Sequence, residues 1–155
     1  YFQKSQGQHF LNIKDKFMNA QEIKEIAKDA EKSFKYARDI LNAAFPLGEA
    51  VIATDFYYSY AYAVYVLQAP FPLGEAAIAT HSQYSFYYAE YVLKGRFKLG
   101  EPAIANSLIG SFNYAKDILK APFPLGEKII FENKIIHKQY KKLFPKKPRP
   151  AFFKY

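Results

Sequence analysis

Glu49, Glu75, Glu101 and Glu127 stand 26 residues apart, and a row of carboxylates could hold cations or serve as acid and base. Paired-carboxylate catalysis needs the two groups within about 5–10 Å of each other. A step of one whole repeat sets them too far apart for that. Their place at the start of short helices supplies another reason: a negative charge there is favoured by ~0.3–1 kcal/mol. Ser33, Ser59, Ser85 and Ser111 recur at the same step. A nucleophilic serine needs a base within hydrogen-bond reach, and none of His9, His81 and His137 recurs with them. These serines read as packing or helix-backbone residues. The histidines show no His-x3-His spacing for a metal, and His81 is expected at an exposed helix cap. The chain has no cysteine, which excludes disulfides, thiol catalysis and cysteine metal sites and suits a reducing compartment. No glycine-rich phosphate loop follows a strand. No catalytic, cofactor or metal residue is therefore assigned.

The tyrosines carry more information. Tyr36, Tyr62, Tyr88, Tyr114 and Tyr140 recur at the 26-residue step and read as structural, with rings buried between units and hydroxyls near the surface. Others sit where the units differ. Tyr57 aligns with Glu31, Gln83 and Ile109; Tyr65 and Tyr91 align with Asp39 and Asp117; Tyr87 aligns with Lys35, Ala61 and Asn113. A position that takes Asp in one unit and Tyr in another faces solvent. Tyr57, Tyr65, Tyr87 and Tyr91, with His81 beside them, are the candidate partner-binding residues.

The net charge of +8 is unevenly placed. Residues 123–155 hold nine basic and two acidic groups, whereas residues 45–96 hold two and four. Lys138, Lys141, Lys142, Lys146, Lys147 and Arg149, interleaved with aromatics, are the candidate nucleic-acid contacts, since such a mixture suits phosphate contact and base stacking.

The elements that place these residues follow from the period. Phe45-Pro46-Leu47-Gly48-Glu49 returns at Phe71, at Phe97 (with Lys98 for proline) and at Phe123. Fixed self-similarity of this kind marks a stacked repeat. Each unit reads as two helices. A short one starts near the Glu and ends near Ala53, Ala79 or Ala105, with Gly48 and its equivalents permitting a tight entry turn. A longer one of about 13 residues, such as 56–68, opens after Asp29, Asp55, His81, Ser107 or Asn133, four of which are good caps. Phe34, Ala37 and Leu41 form its core-facing stripe. A unit this small cannot bury its own apolar face, so the expected fold is an all-α solenoid of four full units and a degenerate fifth, with atypical terminal units. Residues 1–18 are a leader and N-terminal cap, of which Tyr1-Phe2-Gln3 resembles a tag remnant. Residues 19–144 form the repeat domain, and 145–155 an extended, basic, proline-rich tail. The weakly charged stretch 50–71 reads as two short buried helices rather than a membrane span.

The units Phe71–Arg96 and Phe97–Pro122 resemble a short aromatic-rich helical repeat of tailed-bacteriophage proteins. The pattern there is Ser-aromatic-x-Tyr-Ala, then Val/Ile-Leu-Lys-Gly, then Phe-Pro-x-Gly-Glu. Ser85, Phe86, Tyr88, Ala89, Val92, Leu93, Lys94, Gly95, Phe97, Leu99, Gly100 and Glu101 carry the match. Lys98, Ala69-Pro70 and Ala121-Pro122 depart from it. The family has no settled activity; the resemblance implies a viral origin and a place in the host cytoplasm. The expected function is a non-enzymatic scaffold that binds a host protein, with nucleic-acid binding through the basic end as the alternative.

Overall fold

The structure, a computed structural model, describes residues 18–145. Lys146, Lys147, Arg149, His9 and nearly all of the leader and tail lie outside the described residues. Every regular element among those described is helical. The short helices are α1 (Ala20–Ile26), α3 (Pro46–Ile52), α5 (Glu75–Ile78), α7 (Glu101–Ile104) and α9 (Glu127–Glu132). A single 3-10 turn leads into each of the last three. The longer helices start as α2 (Ala30–Lys35), α4 (Phe56–Tyr62), α6 (Ser82–Tyr87), α8 (Leu108–Asn113) and α10 (Lys134–Leu143).

Local chemistry sets where the longer helices begin. Asp29, Asp55, Ser107 and Asn133 each accept a backbone N–H of the first turn, as their types require. His81 holds the same extended cap conformation without a side-chain bond. Asn19 and Glu22 close a reciprocal capping box on α1.

The far ends depart from expectation. In the first four units the α-helix widens into a π-helix: Tyr36–Leu41, Ala63–Leu67, Tyr88–Leu93 and Tyr114–Leu119. The helix starting at Phe56 thus ends at Leu67, one residue before the expected end. Asn42, Gln68, Lys94 and Lys120 then take left-handed backbone, with φ between 48° and 50°. Ala63 O accepts from both Gln68 N and Ala69 N, the latter at 3.2 Å, and Ala37, Ala89 and Ala115 repeat this pattern. The fifth unit carries Lys141 at the alanine position; its helix stays α throughout and stops at Leu143, before Phe144 and Pro145.

One core runs through all the units, with contacts passing from each unit to the next. Phe34, Ala37 and their equivalents lie in or against it, but Leu41 is 40% exposed, a correction to the expected stripe. Leu67, Leu93 and Leu119 are half-buried. Phe45, Phe71, Phe97 and Phe123 are buried edge-to-face against Tyr36, Tyr62, Tyr88 and Tyr114 of the preceding unit, with ring centroids 5.0–5.1 Å apart.

The entry turns do not call on the backbone freedom of the motif glycines. Gly74, Gly100 and Gly126 have φ between −91° and −84°, ordinary right-handed values. A Cβ at Gly74 would fall 2.6 Å from both Phe71 Cδ1 and Ser59 Cβ. Glycine is required because the preceding unit's serine approaches that closely. That serine is spoken for in turn: Ser59 Oγ donates to Ile52 O at 2.9 Å, and Ser33, Ser85 and Ser111 make the same bond to Ile26, Ile78 and Ile104.

Candidate functional site

The recurring tyrosines lie deeper than expected. The Tyr62, Tyr88 and Tyr114 side chains are fully buried, hydroxyls included. Each hydroxyl accepts a backbone N–H and donates to a carboxylate. Tyr88 Oη takes Phe71 N–H at 2.8 Å and gives its proton to Glu75 Oε1 at 3.0 Å. Burial pushes the Tyr62 and Tyr114 phenols up to about 12, the neighbouring Glu49 and Glu101 adding in the same direction. Glu101 also accepts a two-pronged ion pair from Arg96, with Nη2 to Oε2 at 2.9 Å. The four motif glutamates are thus hydrogen-bond acceptors in the framework as well as helix-entry charges. Among the described residues no three His, Cys, Asp or Glu side chains gather as metal ligands would.

The variable positions converge on one surface. The outer faces of α4 and α6 carry a continuous aromatic lattice. Tyr84 lies at its centre, with ring centroids 5.2 Å from Phe56, 5.9 Å from Tyr57, 5.4 Å from Tyr60 and 5.1 Å from His81. Tyr87 bridges Tyr60 at 6.3 Å and Tyr91 at 5.7 Å. Burial pushes the Tyr60 phenol up to about 12, with Tyr65, Tyr91, Tyr87 and Tyr84 acting in the same sense. Tyr84 and Tyr87 of the next unit pack directly against the Tyr60 ring.

Tyr57, Tyr65 and Tyr91 are 45%, 62% and 57% exposed, as the alignment with charged residues requires. Two expectations are corrected. Tyr87 is half-buried, because its ring packs between Tyr84, Phe86 and Tyr91 and its hydroxyl accepts Gln83 Nε2 at 2.9 Å. His81 is half-buried too: its ring stacks on Phe56 at 4.6 Å and 20°, and its Nδ1 is sealed from solvent without a hydrogen-bond partner. Three members were missed in the sequence. Phe56, Tyr60 and Tyr84 form the base of the lattice; the 26-residue alignment sets Tyr60 with Phe34, Phe86 and Phe112 as a core-stripe position and singles out neither Phe56 nor Tyr84.

The lattice stops at the fourth unit. Gly110 stands there at the register of Tyr58 and Tyr84. A shallow groove opens beside it, walled by Phe86, Tyr87, Ile109 and Asn113, and Ile109 is 57% exposed.

The basic alternative is placed only in part. Lys138, Lys141 and Lys142 are exposed on α10, and with Lys134 the first two share one face at i, i+4 and i+7. None of the four makes an ion pair among the described residues. No helix among those residues is long and apolar enough to cross a membrane. His137 stacks on Phe131 at 4.4 Å, which gives it a packing role.

No protein-family model, curated protein or solved structure matches the chain.

Proposed function

We propose that the chain is an α-solenoid scaffold without enzymatic activity, and that it binds a protein partner through the tyrosine face of its second and third units. One observation carries this reading: the exposed Tyr57 and Tyr91 stand on a packed aromatic base, and the exposed Tyr65 holds the register of Tyr91 one unit earlier. Tyrosine offers a large contact area at a low entropic cost, with a polar tip to pair, and such residues dominate binding energy at interfaces. The groove beside Gly110 adds a seat for one apolar side chain of the partner. The resemblance to the tailed-phage repeat makes a host protein the partner of choice and interference with a host process the role.

The test is capture from bacterial lysate, with and without nuclease, by the parent chain and by a Tyr57→Ala, Tyr65→Ala, Tyr91→Ala variant. A nuclease-resistant partner lost in the variant supports the reading. Equal capture by both chains refutes it.

The exposed lysines of α10 favour a second reading, nucleic-acid binding through the basic end. Counterion release then requires affinity that falls steeply with salt. A tyrosine-mediated protein contact shows little such dependence.

A further inference from the structure

We propose that the tyrosine face is covered by the chain's own C-terminal segment, residues 146–155, and that it takes basic, proline-containing segments as a class; this rests on reading that face as a recognition surface. Register supplies the path. Asp39, Tyr65, Tyr91, Asp117 and Leu143 occupy the same position in successive units, near the ends of the longer helices, and all five are exposed. The described chain passes Leu143 and ends at Pro145. Whatever follows starts at the end of this row.

Length permits the route. Ten extended residues span about 31 Å. Packed helices lie ~8–10 Å apart, so Tyr91 is two spacings from α10 and Tyr65 three.

Charge favours it. Residues 39–93 contain no Lys or Arg and five carboxylates, whereas residues 146–155 hold Lys146, Lys147, Arg149 and Lys154 and no acid. The segment meets Asp117 first, then Glu90 beside Tyr91, whose phenol that carboxylate raises. The cations along the row are Lys142, Lys120, Lys116, Lys94 and Arg38. Lys116 and Arg38 pair with Asp117 and Asp39, and Lys94 borders a groove.

That groove lies beside Tyr91, between the ends of the longer helices of units two and three. Ala63, Val64, Pro70 and Val92 line it. The chemistry matches residue by residue. Aromatic surfaces take up proline-punctuated segments, which suits Pro148 and Pro150. A guanidinium stacks on a tyrosine ring, which suits Arg149. The apolar side of the groove, Ala63, Val64, Pro70 and Val92, accepts Phe152 or Phe153, with Gln68 and Lys94 at its polar side. A tethered segment of this kind competes at a millimolar effective concentration, so an external partner must carry similar chemistry to displace it.

Because the chain lacks cysteine, the full-length protein accepts two introduced ones cleanly. Gln68→Cys and Lys154→Cys, spin-labelled and read by dipolar electron resonance, should give one narrow, short distance. Adding Tyr91→Ala and Asp117→Lys should abolish it, and molar salt should broaden it. A broad distribution in the parent overturns the proposal, as does a narrow one that survives both substitutions. A short distance that disappears on tenfold dilution with unlabelled chain overturns it as well, since the tail would then belong to a neighbour. The two readings fail separately. Tyrosine-dependent capture of a partner with an undocked tail refutes this inference alone. A docked tail with no captured partner refutes the proposed function alone.

Discussion

The Tyr62 hydroxyl donates to the Glu49 carboxylate at 2.9 Å while it accepts the Phe45 N–H at 2.7 Å. The pair recurs as Tyr88 with Glu75, Tyr114 with Glu101 and Tyr140 with Glu127. One oxygen therefore ties the middle of a longer helix to the first turn of the short helix of its own unit and to the residue that caps that turn. It also gives a structural reason for Tyr and Glu to keep step over 26 residues.

Tyr88→Phe removes that oxygen and leaves the buried Phe71 N–H without a partner. The expected loss is about 1–3 kcal/mol, the cost of an unsatisfied buried polar group. A denaturant titration measures it. A change within error would mean that water replaces the hydroxyl and that this junction is looser than the packing implies.

The same phenols set a limit at high pH. Their folded pKa lies above the ordinary value of 10.0, at about 12 for Tyr62 and Tyr114. The folded state therefore binds protons that the unfolded state releases. Their contribution is whole below pH 10 and is lost as pH rises through about 12. Far-ultraviolet circular dichroism, followed together with tyrosinate absorbance, should show helix loss coinciding with ionisation of the buried phenols above pH 10. Ionisation of all the phenols in a chain that stays helical contradicts this.

Gly74→Ala places a methyl 2.6 Å from Ser59 Cβ and from the Phe71 ring. Overpacking of this kind costs about 1–3 kcal/mol, read as a lowered melting temperature. Ser59→Ala should not rescue it, because the clash is with Cβ and not only with the hydroxyl. Gly95→Ala serves as the control, since its nearest neighbour is 3.7 Å away.

Gln68→Gly should stabilise. Gln68 holds φ 49°, left-handed backbone that costs a side-chain-bearing residue about 1–2 kcal/mol. Glycine adopts it freely but loses more entropy on folding, so a net gain of up to about 1 kcal/mol is expected from chemical denaturation. A loss would place the strain elsewhere in the turn.

Particular residues show how far the sequence reaches. The caps at Asp29, Asp55, Ser107 and Asn133 were readable because capping depends on a side chain and the next three N–H groups alone. The surface positions Tyr57, Tyr65 and Tyr91 were readable because other units carry charge in their place. The π segments were not, since a shift from i−4 to i−5 bonding reflects packing around Ala37, Ala63, Ala89 and Ala115 and not a local preference. Gly48 and its equivalents looked like turn glycines because nothing in their own unit reveals a serine of the previous unit pressed against them. His81 looked exposed because the sequence does not show Phe56 arriving to stack on it.

The bonds that define a unit all close over short loops; the longest, from Phe N–H to Tyr hydroxyl, spans 17 residues. Relative contact order is accordingly low, which favours rapid folding because little loop entropy is spent before the contacts form. It also frees the gene from a fixed length. Excision of residues 71–96 would bring Phe97 to the socket that Phe71 now fills, against Tyr62 in place of Tyr88 and with Gly100 facing Ser59 in place of Ser85. Unequal recombination can therefore lengthen or shorten the array one unit at a time while every junction keeps its geometry, and the tyrosine-bearing units can drift independently of the rest.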